Sequence, residues 1–235
     1  MGFVMLSFGR RLLKIFHPEG IPWPGTVLYN AISKTMVFQS HYELIAKDIL
    51  RYNKEGSILD VGTGPAWLLV KLHKLSPKLY LTGLDISPSM VAKAQRNMAN
   101  VGLADIIEIK VGKAKHMPFA DNSFDTVVST GSIHHWKKPM ACLNEIYRIL
   151  KHGGYALMYD LVSDTPADVL MEISSEFGKL RVMLFWMHSF EEPFHGIKDF
   201  ERLARSTLFG EGRIRFVGAL CCLILRKNNL LLDTT

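Results

Sequence analysis

Two acidic residues and the glycine turn that follows the first of them are the features of this sequence best suited to binding chemistry. Residues 58–61 are an apolar run that contains Asp60, and Gly62 and Gly64 follow at once. A second apolar run ends in Asp85. Its distance in sequence from the glycine turn is close to the spacing of about 20 residues that separates such a turn from the ribose-binding acid in dinucleotide folds. An acid at the end of a strand can accept both hydroxyls of a ribose. The pattern predicts a site for a nucleotide-like ligand.

Alternating strands and helices must position these residues. Pro65 is expected at the first position of a helix, where its missing N–H costs nothing. A helix after Ser87-Pro88 and another from Pro139 separate further strands at residues 106–111, 124–129 and 155–161. Gly153-Gly154 is expected to end the second of these helices. Such alternation predicts an α/β fold with a mostly parallel sheet that is covered on both faces.

The two ends of the chain have a different character. Residues 1–17 can form a basic amphipathic helix, which either lies on a membrane surface or packs as a cap on the main domain. Two helical patterns, at residues 26–38 and 40–52, complete an N-terminal helical cap over 1–52. The remaining residues, 53–235, are expected to form the main domain, with a helical insertion at about 165–208.

That insertion begins with a long helix after Thr165-Pro166, whose apolar stripe includes Ile173, Phe177, Leu180, Leu184 and Met187. A shorter helix is expected at residues 197–209. Strands at residues 213–217 and 219–225 then end the domain. The aromatic and methionine-rich residues 177–190 either belong to the core or line an apolar substrate pocket.

Composition excludes several classes of protein. The chain has 235 residues, 48% of them hydrophobic, and a formal charge of +6 that is scattered rather than arranged in a stripe. No specific nucleic-acid partner is therefore expected. Cys142, Cys221 and Cys222 have no metal-ligand spacing and are expected to be reduced core residues. No apolar run reaches the ~20 residues that span a bilayer. A cytoplasmic protein, membrane-peripheral at most through residues 1–17, is expected.

Four segments, taken together, carry a resemblance to a known family. They read, in order, Leu59-Asp60-Val61-Gly62-Thr63-Gly64, Gly83-Leu84-Asp85-Ile86-Ser87-Pro88-Ser89-Met90, Met117-Pro118-Phe119 with Asn122-Ser123-Phe124-Asp125, and His134-His135-Trp136 with Glu145-Ile146-Tyr147-Arg148-Ile149-Leu150-Lys151-His152-Gly153-Gly154. This set resembles the class I S-adenosylmethionine-dependent methyltransferases, and is most similar to the small-molecule branch of ubiquinone and menaquinone biosynthesis. The resemblance implies a Rossmann-like, seven-stranded sheet whose final pair of strands is an antiparallel hairpin.

The resemblance also implies which residues bind S-adenosylmethionine. The expected contacts follow the cofactor from its methionyl end through the ribose to the adenine, and Tyr29 is expected to cover it. In that order the residues are Asp60, Gly62, Thr63, Gly64, Thr130, Asp85, Ile86, Met90, Gly112, Lys113, Ala114 and Tyr29. Two residues depart from the family pattern. Ala66 replaces the third glycine, and Lys113 stands where an acid usually receives the adenine amino group. A lysine ammonium has no acceptor, so the backbone can serve there, the alignment can be shifted by a residue or two, or the cofactor can sit differently.

Methyl transfer from a sulfonium is an in-line displacement, for which the protein supplies position and electrostatics. His134 and His135 follow the fourth strand and either act as a base or shape the pocket, with His135 slightly favoured as the base. No metal is expected. A small, fairly lipophilic acceptor is the preferred hypothesis, because Ser129-Thr130-Gly131-Ser132 lacks the Asn/Asp-Pro-Pro-aromatic motif of base-amine methyltransferases. A non-catalytic cofactor-binding protein and an RNA or protein methyltransferase remain the alternatives, and the oligomeric state is not specified.

Overall fold

The computed structural model describes residues 36–178 and 195–228, and within them a seven-stranded sheet lies between two layers of helices. The strands, in chain order, are β1 Gly56–Val61, β2 Leu79–Asp85, β3 Ile107–Val111, β4 Phe124–Thr130, β5 Leu150–Asp160, β6 Arg213–Val217 and β7 Leu220–Arg226. The helices are α1 Met36–Ile49, α2 Trp67–Leu75, α3 Pro88–Asn100, α4 Pro139–Ile149, α5 Ala167–Phe177 and α6 Ile197–Arg205.

The sheet has the strand order β3-β2-β1-β4-β5-β7-β6. The first five strands in this order are parallel to one another. Strand β7 is antiparallel to both of its neighbours, β5 and β6. This confirms the expected mostly parallel sheet with a final antiparallel hairpin. The order reverses between β1 and β4, and ligands of such sheets bind at this switch point, outside the carboxyl ends of the strands.

Alternate residues of the buried strands enter two separate cores. One core contains Ile58 of β1 and side chains from α1, α2 and α3, and the other contains Leu59 together with α4 and α6. Because successive strand residues point to opposite faces, an apolar run buried on both sides is what a covered parallel sheet requires. The three cysteines are buried, as expected, and none of them forms a disulfide.

The N-terminal cap falls only in part on described residues. Residues 1–35, and with them the amphipathic segment, Tyr29 and most of the helix expected at 26–38, lie outside the described residues. The break expected near residue 39 is wrong, because α1 runs without interruption from Met36 to Ile49. Ile45, Ala46 and Ile49 are almost wholly buried in the same core as α2. The boundary between a cap and a main domain at residue 52 stays a prediction.

The expected start of the helix at Pro65 is wrong by two residues. Helix α2 begins at Trp67, because Ala66 adopts a left-handed conformation with φ 66° and ψ 24°. Pro65 therefore belongs to the glycine turn, and its carbonyl accepts a hydrogen bond of 3.0 Å from the buried Asn97 side chain. This contact joins the turn to α3.

Ala66 is a position at which only very small side chains fit. A left-handed backbone costs an L-residue about 1–2 kcal/mol, whereas burial of its methyl group returns about 0.8 kcal/mol. We therefore expect Ala66→Gly to change the free energy of unfolding by less than about 1 kcal/mol. Ala66→Val places a β-branched side chain in this strained, fully buried position and should lower it by about 3 kcal/mol. Urea denaturation of both variants checks this, and equal losses would contradict it.

Gly153-Gly154 does not end a helix, which corrects the expectation. Helix α4 ends at Ile149, and both glycines lie within β5, where its register against β4 shifts between Phe124 and Thr126. The Gly153 N–H and the Gly154 carbonyl pair with the backbone of Lys227 at 2.8 and 2.9 Å. A Cβ on Gly154 would lie 2.8 Å from the carbonyl oxygen of Asp125, so this irregular strand needs glycine there.

The long helix expected after Thr165-Pro166 is shorter in the structure. Helix α5 ends at Phe177, where Gly178 takes a φ of 87°. Leu180, Leu184 and Met187 of its expected stripe lie outside the described residues. Helix α6 ends at Arg205 rather than at residue 209. Within residues 36–178 and 195–228, no helix is both long enough and apolar enough to cross a bilayer.

Candidate active site

The glycine turn is held against the end of β2 by its own backbone. The N–H groups of Gly62 and Thr63 donate to the carbonyl of Leu84 at 2.8 and 3.0 Å. Gly62 and Gly64 have φ values of 77° and 53°, which other residues rarely adopt. A Cβ on Gly62 would overlap the side chain of Ser132. The turn is therefore tight because it is packed from two sides.

Asp85 accepts backbone hydrogen bonds from the glycine turn and from the residues that follow β2. Its Oδ2 accepts from the Gly64 N–H at 3.0 Å, and its Oδ1 accepts from the Ser87 N–H at 2.9 Å. A carboxylate has about four lone-pair sites, so acceptor capacity remains for an external hydroxyl. Burial raises the pKa of the Asp85 carboxyl, and backbone hydrogen bonds from Ser87, Gly64 and Ile86 oppose that rise. The structure thus holds a carboxylate in one orientation at the end of β2.

Asp60 is the most strongly perturbed carboxyl of this edge. It is 2% exposed, and its Oδ2 accepts a hydrogen bond of 2.9 Å from the Thr63 hydroxyl. Burial raises the pKa of Asp60 to about 7; the Thr63 hydrogen bond opposes the rise and the charge of Asp85 adds to it. The chain carries this cost at a position where the sequence predicts cofactor contact, and such perturbed groups cluster at functional sites.

The segment after β3 borders the same edge. The Gly112 N–H donates to the Asp85 carbonyl at 2.9 Å, and Ala114 is half-buried. Arg148 fastens the following loop by donating to the carbonyls of Phe119 and Met117, at 2.9 and 3.2 Å. Glu145 accepts the Met117 N–H at 2.7 Å. Helix α4 therefore positions this loop through two side chains.

The expected adenine contacts have unequal surroundings. Met90 is 2% exposed and Ile86 is half-buried, so both can offer an apolar face. Lys113 is exposed, and its backbone forms an isolated bridge with His116. The role of Lys113 at the adenine edge stays a prediction.

A short 3-10 turn, Ile133–His135, carries the two histidines beyond β4. The Nδ1 of His134 lies 2.9 Å from both carboxylate oxygens of Asp160, the last residue of β5. His134 is 5% exposed and Asp160 is 1% exposed. The ring of His135 contacts that of His134 with centroids 3.9 Å apart and an angle of 44° between the ring planes. His134, rather than the favoured His135, thus has the buried carboxylate partner, and the choice of base stays a prediction.

Comparison with known proteins identifies the domain. A family model described as a methyltransferase domain matches residues 59–158. A ubiquinone/menaquinone biosynthesis C-methyltransferase of Geotalea daltonii is 31% identical over 158 residues, 66% of each chain. A chloroplastic 2-methyl-6-phytyl-1,4-hydroquinone methyltransferase of rice is 34% identical over 114 residues, 48% of this chain and 32% of the rice protein.

Solved structures lead to the same family. The structure of a proposed S-adenosyl-L-methionine-dependent methyltransferase from Methanococcus maripaludis has 25% identity and a TM-score of 0.69, over 88% of this chain and 94% of that one. This chain belongs to the class I S-adenosylmethionine-dependent methyltransferases. It spans about two thirds of the Geotalea methyltransferase and about one third of the rice methyltransferase.

The polar atoms at the carboxyl edge of the sheet fit the cofactor that this methyltransferase family uses. The Oδ1 of Asp60 and the Oγ1 of Thr130 are buried, and neither has a hydrogen-bond partner in the described structure. Unsatisfied buried polar atoms are rare in folded proteins and call for an explanation. The donor groups of S-adenosylmethionine would satisfy the Asp60 atom, and its ribose hydroxyls suit Asp85. Beside them, the turn at Gly62 has no room for a Cβ.

Two residues of the methyltransferase edge were missed by reasoning from sequence. Ser132 was read only as part of a missing motif, although its side chain packs against Gly62. Asp160 was read only as part of a strand. One signal was available for it, because Asp60, Asp85 and Asp160 each stand at or next to the end of an apolar strand. The carboxyl ends of parallel strands share one edge, so the three acids had to lie on it.

Proposed function

We propose that this protein transfers a methyl group from S-adenosylmethionine to a small, lipophilic ring compound by in-line displacement. The observation that carries the proposal is the pair of carboxylates, Asp60 and Asp85, at the switch point of a sheet whose domain matches methyltransferases. When bound, the cofactor would supply a methyl carbon attached to a positively charged sulfur, which a nucleophile can displace.

The chain's own residues would bind and orient the reactants. Asp85 would hold the ribose through the acceptor capacity that its backbone donors leave, and Asp60 would neutralise the cationic end. Because backbone N–H groups hold Asp85 and the Thr63 hydroxyl holds Asp60 before binding, little ordering cost remains when the ligand arrives. Thr130 would border the methionyl end, where its buried hydroxyl has no partner among the described residues.

The proposed acceptor class rests on the relatives. Two of them are named for quinone or hydroquinone methylation, and both names describe ring compounds with lipid chains. Residues 177–190, most of which lie outside the described residues, supply aromatic and methionine side chains that suit such an acceptor. A cytoplasmic protein that meets its acceptor at a membrane surface, with residues 1–17 on that surface, is consistent with this chemistry.

Two measurements on the full chain test the proposal. Isothermal titration with S-adenosylhomocysteine is expected to show one site, and absence of binding would overturn the cofactor assignment. Transfer of radiolabelled methyl is then measured to a short-chain prenylated 1,4-naphthohydroquinone, with sarcosine as the polar acceptor. Methylation of the ring compound supports the proposal. Cofactor binding with methylation of sarcosine alone, or of neither compound, would overturn the lipophilic acceptor class.

A further inference from the structure

Asp160 is a buried carboxylate that accepts hydrogen bonds from His134 and from the residue that follows it in the chain. It accepts from the His134 Nδ1 at 2.9 Å, from the His134 N–H at 3.1 Å and from the Leu161 N–H at 2.8 Å. At 1% exposure, an unpaired carboxylate would cost several kcal/mol, so these donors are what makes the charge tolerable. Two of them come from His134 itself, so the ring and its backbone are oriented together.

This pairing decides which ring nitrogen of His134 is basic. A carboxylate accepts hydrogen bonds, so Nδ1 carries the proton and the basic lone pair lies on Nε2. When Nε2 then takes a proton, the imidazolium charge forms beside a buried anion, which stabilises it. The same division of roles between an orienting carboxylate and a histidine base recurs on unrelated folds.

The backbone places this pair next to the cofactor turn. The Gly131 N–H donates to the Tyr159 carbonyl at 2.8 Å, which joins the end of β4 to the end of β5. Ser132, two residues before His134, packs on Gly62. The chain that carries His134 is thus fixed between the glycine turn and the residue before Asp160.

The other titratable groups near the pair do not replace it. The ring of His135 contacts the ring of His134 at a tilt of 44°. Cys221 is opposite Asp160 in the β5–β7 pairing, and burial, followed by the charges of Asp164 and Asp160, raises the pKa of its thiol to about 12. Asp164 is exposed and accepts the N–H of Ile197 at the start of α6. Among these groups, His134 is the one whose ring nitrogen contacts a buried carboxylate.

We propose that Asp160 is a positioning residue that holds His134 as a proton acceptor, and that the methyl acceptor is therefore a ring compound with an ionisable hydroxyl. The inference rests on the proposed function. The Nε2 of His134 takes the hydroxyl proton, which leaves an electron pair on the oxygen that is shared with a conjugated ring carbon. The oxygen or this ring carbon then uses the pair to form a bond to the methyl carbon. The bond between the methyl carbon and sulfur breaks, and its electron pair stays on sulfur. After attack by a ring carbon, the hydrogen on that carbon leaves as a second proton.

The test compares two acceptors whose hydroxyl groups differ in acidity. At pH 9, methyl transfer is measured to a prenylated 1,4-naphthohydroquinone and to its ring-fluorinated analogue, whose hydroxyl is largely ionised. Asp160→Asn and His134→Asn are expected to lower kcat about 100-fold or more with the first acceptor. With the ionised acceptor the loss should be less than about threefold, because no proton needs to be removed.

Three controls keep this test decisive. The His134→Asn amide can still donate to Asp160, so this variant keeps the buried hydrogen bond if Asp160→Asn fails to fold. Asp164→Asn makes the same chemical change four residues away and should leave kcat unchanged. S-adenosylhomocysteine binding is measured for every protein. Wild type that neither binds it nor methylates overturns the proposed function, whereas an active wild type with equal losses for both acceptors in the folded variants overturns the role of the pair.

Discussion

Replacing Asp85 by asparagine is expected to weaken the binding of S-adenosylhomocysteine about 100-fold. Hydrogen bonds to a charged group contribute roughly 1.5–3 kcal/mol each, and about 2.8 kcal/mol corresponds to a factor of 100. The carboxamide keeps one oxygen, which can still accept from a single backbone donor, Gly64 or Ser87. Its NH₂ group is a donor, so the second ribose hydroxyl loses its acceptor. Isothermal titration of wild type and variant gives the ratio.

A modified ligand separates the ribose contact from general damage to the turn. Removing the 2′-hydroxyl from S-adenosylhomocysteine should cost the wild type about tenfold in affinity and cost Asp85→Asn less than about threefold. The difference is a coupling energy between one hydroxyl and one side chain. If the deoxy ligand loses the same factor in both proteins, Asp85 does not hold the ribose.

Because the carboxylate accepts better than the carboxylic acid, wild-type affinity should rise with pH through the raised pKa of Asp85.

Replacing Asp60 by asparagine should stabilise the ligand-free protein at pH 8 while it weakens cofactor binding. Burial raises the pKa of Asp60 from 3.8 to about 7, and each unit is worth 1.36 kcal/mol. At pH 8 the folded protein therefore holds a costly carboxylate, and the substitution should add about 2–4 kcal/mol to the free energy of unfolding. For a chain of this length, that gain raises Tm by roughly 5–10 °C.

The pH dependence gives this prediction its sign. A carboxyl whose pKa is raised in the folded state contributes stability at low pH, and this stability is lost as the pH rises from about 4 through 7. The advantage of Asp60→Asn should therefore be small at pH 4 and grow until about pH 7. Thermal melts of the ligand-free protein across this range measure it, and an advantage that does not change with pH would contradict the prediction.

Asp125 provides the matched control for Asp60. Its Oδ2 accepts from the Lys151 ammonium at 2.7 Å and from the Ser57 N–H and hydroxyl, both at 2.8 Å. Burial alone would raise the pKa of Asp125, but these donors outweigh it and hold the pKa below its usual value. Asp125→Asn should therefore destabilise the protein at pH 8. If Asp60→Asn raises and Asp125→Asn lowers the free energy of unfolding, the surroundings of the aspartate, and not its residue type, set the sign of the effect.

We propose that cofactor binding explains why a costly carboxylate stands at position 60. The charge that destabilises the empty protein attracts a cationic ligand, so Asp60→Asn should lower S-adenosylmethionine affinity by at least tenfold. Residues that bind a ligand often lower the stability of the ligand-free protein. A variant that is more stable and binds equally well would remove this explanation.

The features that the sequence predicted correctly are those that depend on neighbours in the chain. The glycine turn requires residues without a Cβ, and Asp60 and Asp85 are recognisable because each closes an apolar run. The alternation of strands and helices follows from hydrophobic periodicity, which sets the parallel sheet and its covered faces. These local signals are sufficient to place Gly62, Gly64 and Asp85 near one another.

The tertiary structure decided what depends on residues that are distant in the chain. Helix α2 starts at Trp67 because Ala66 takes a left-handed conformation that its residue type does not announce. Gly153-Gly154 resembles a helix end, yet pairing with Lys227 draws it into β5. The contact between His134 and Asp160 joins the turn after β4 to the end of β5, and the raised pKa of Asp60 depends on how completely the core excludes water. A local pattern carries no information on burial or cross-strand pairing, so these properties arise only when the chain is folded.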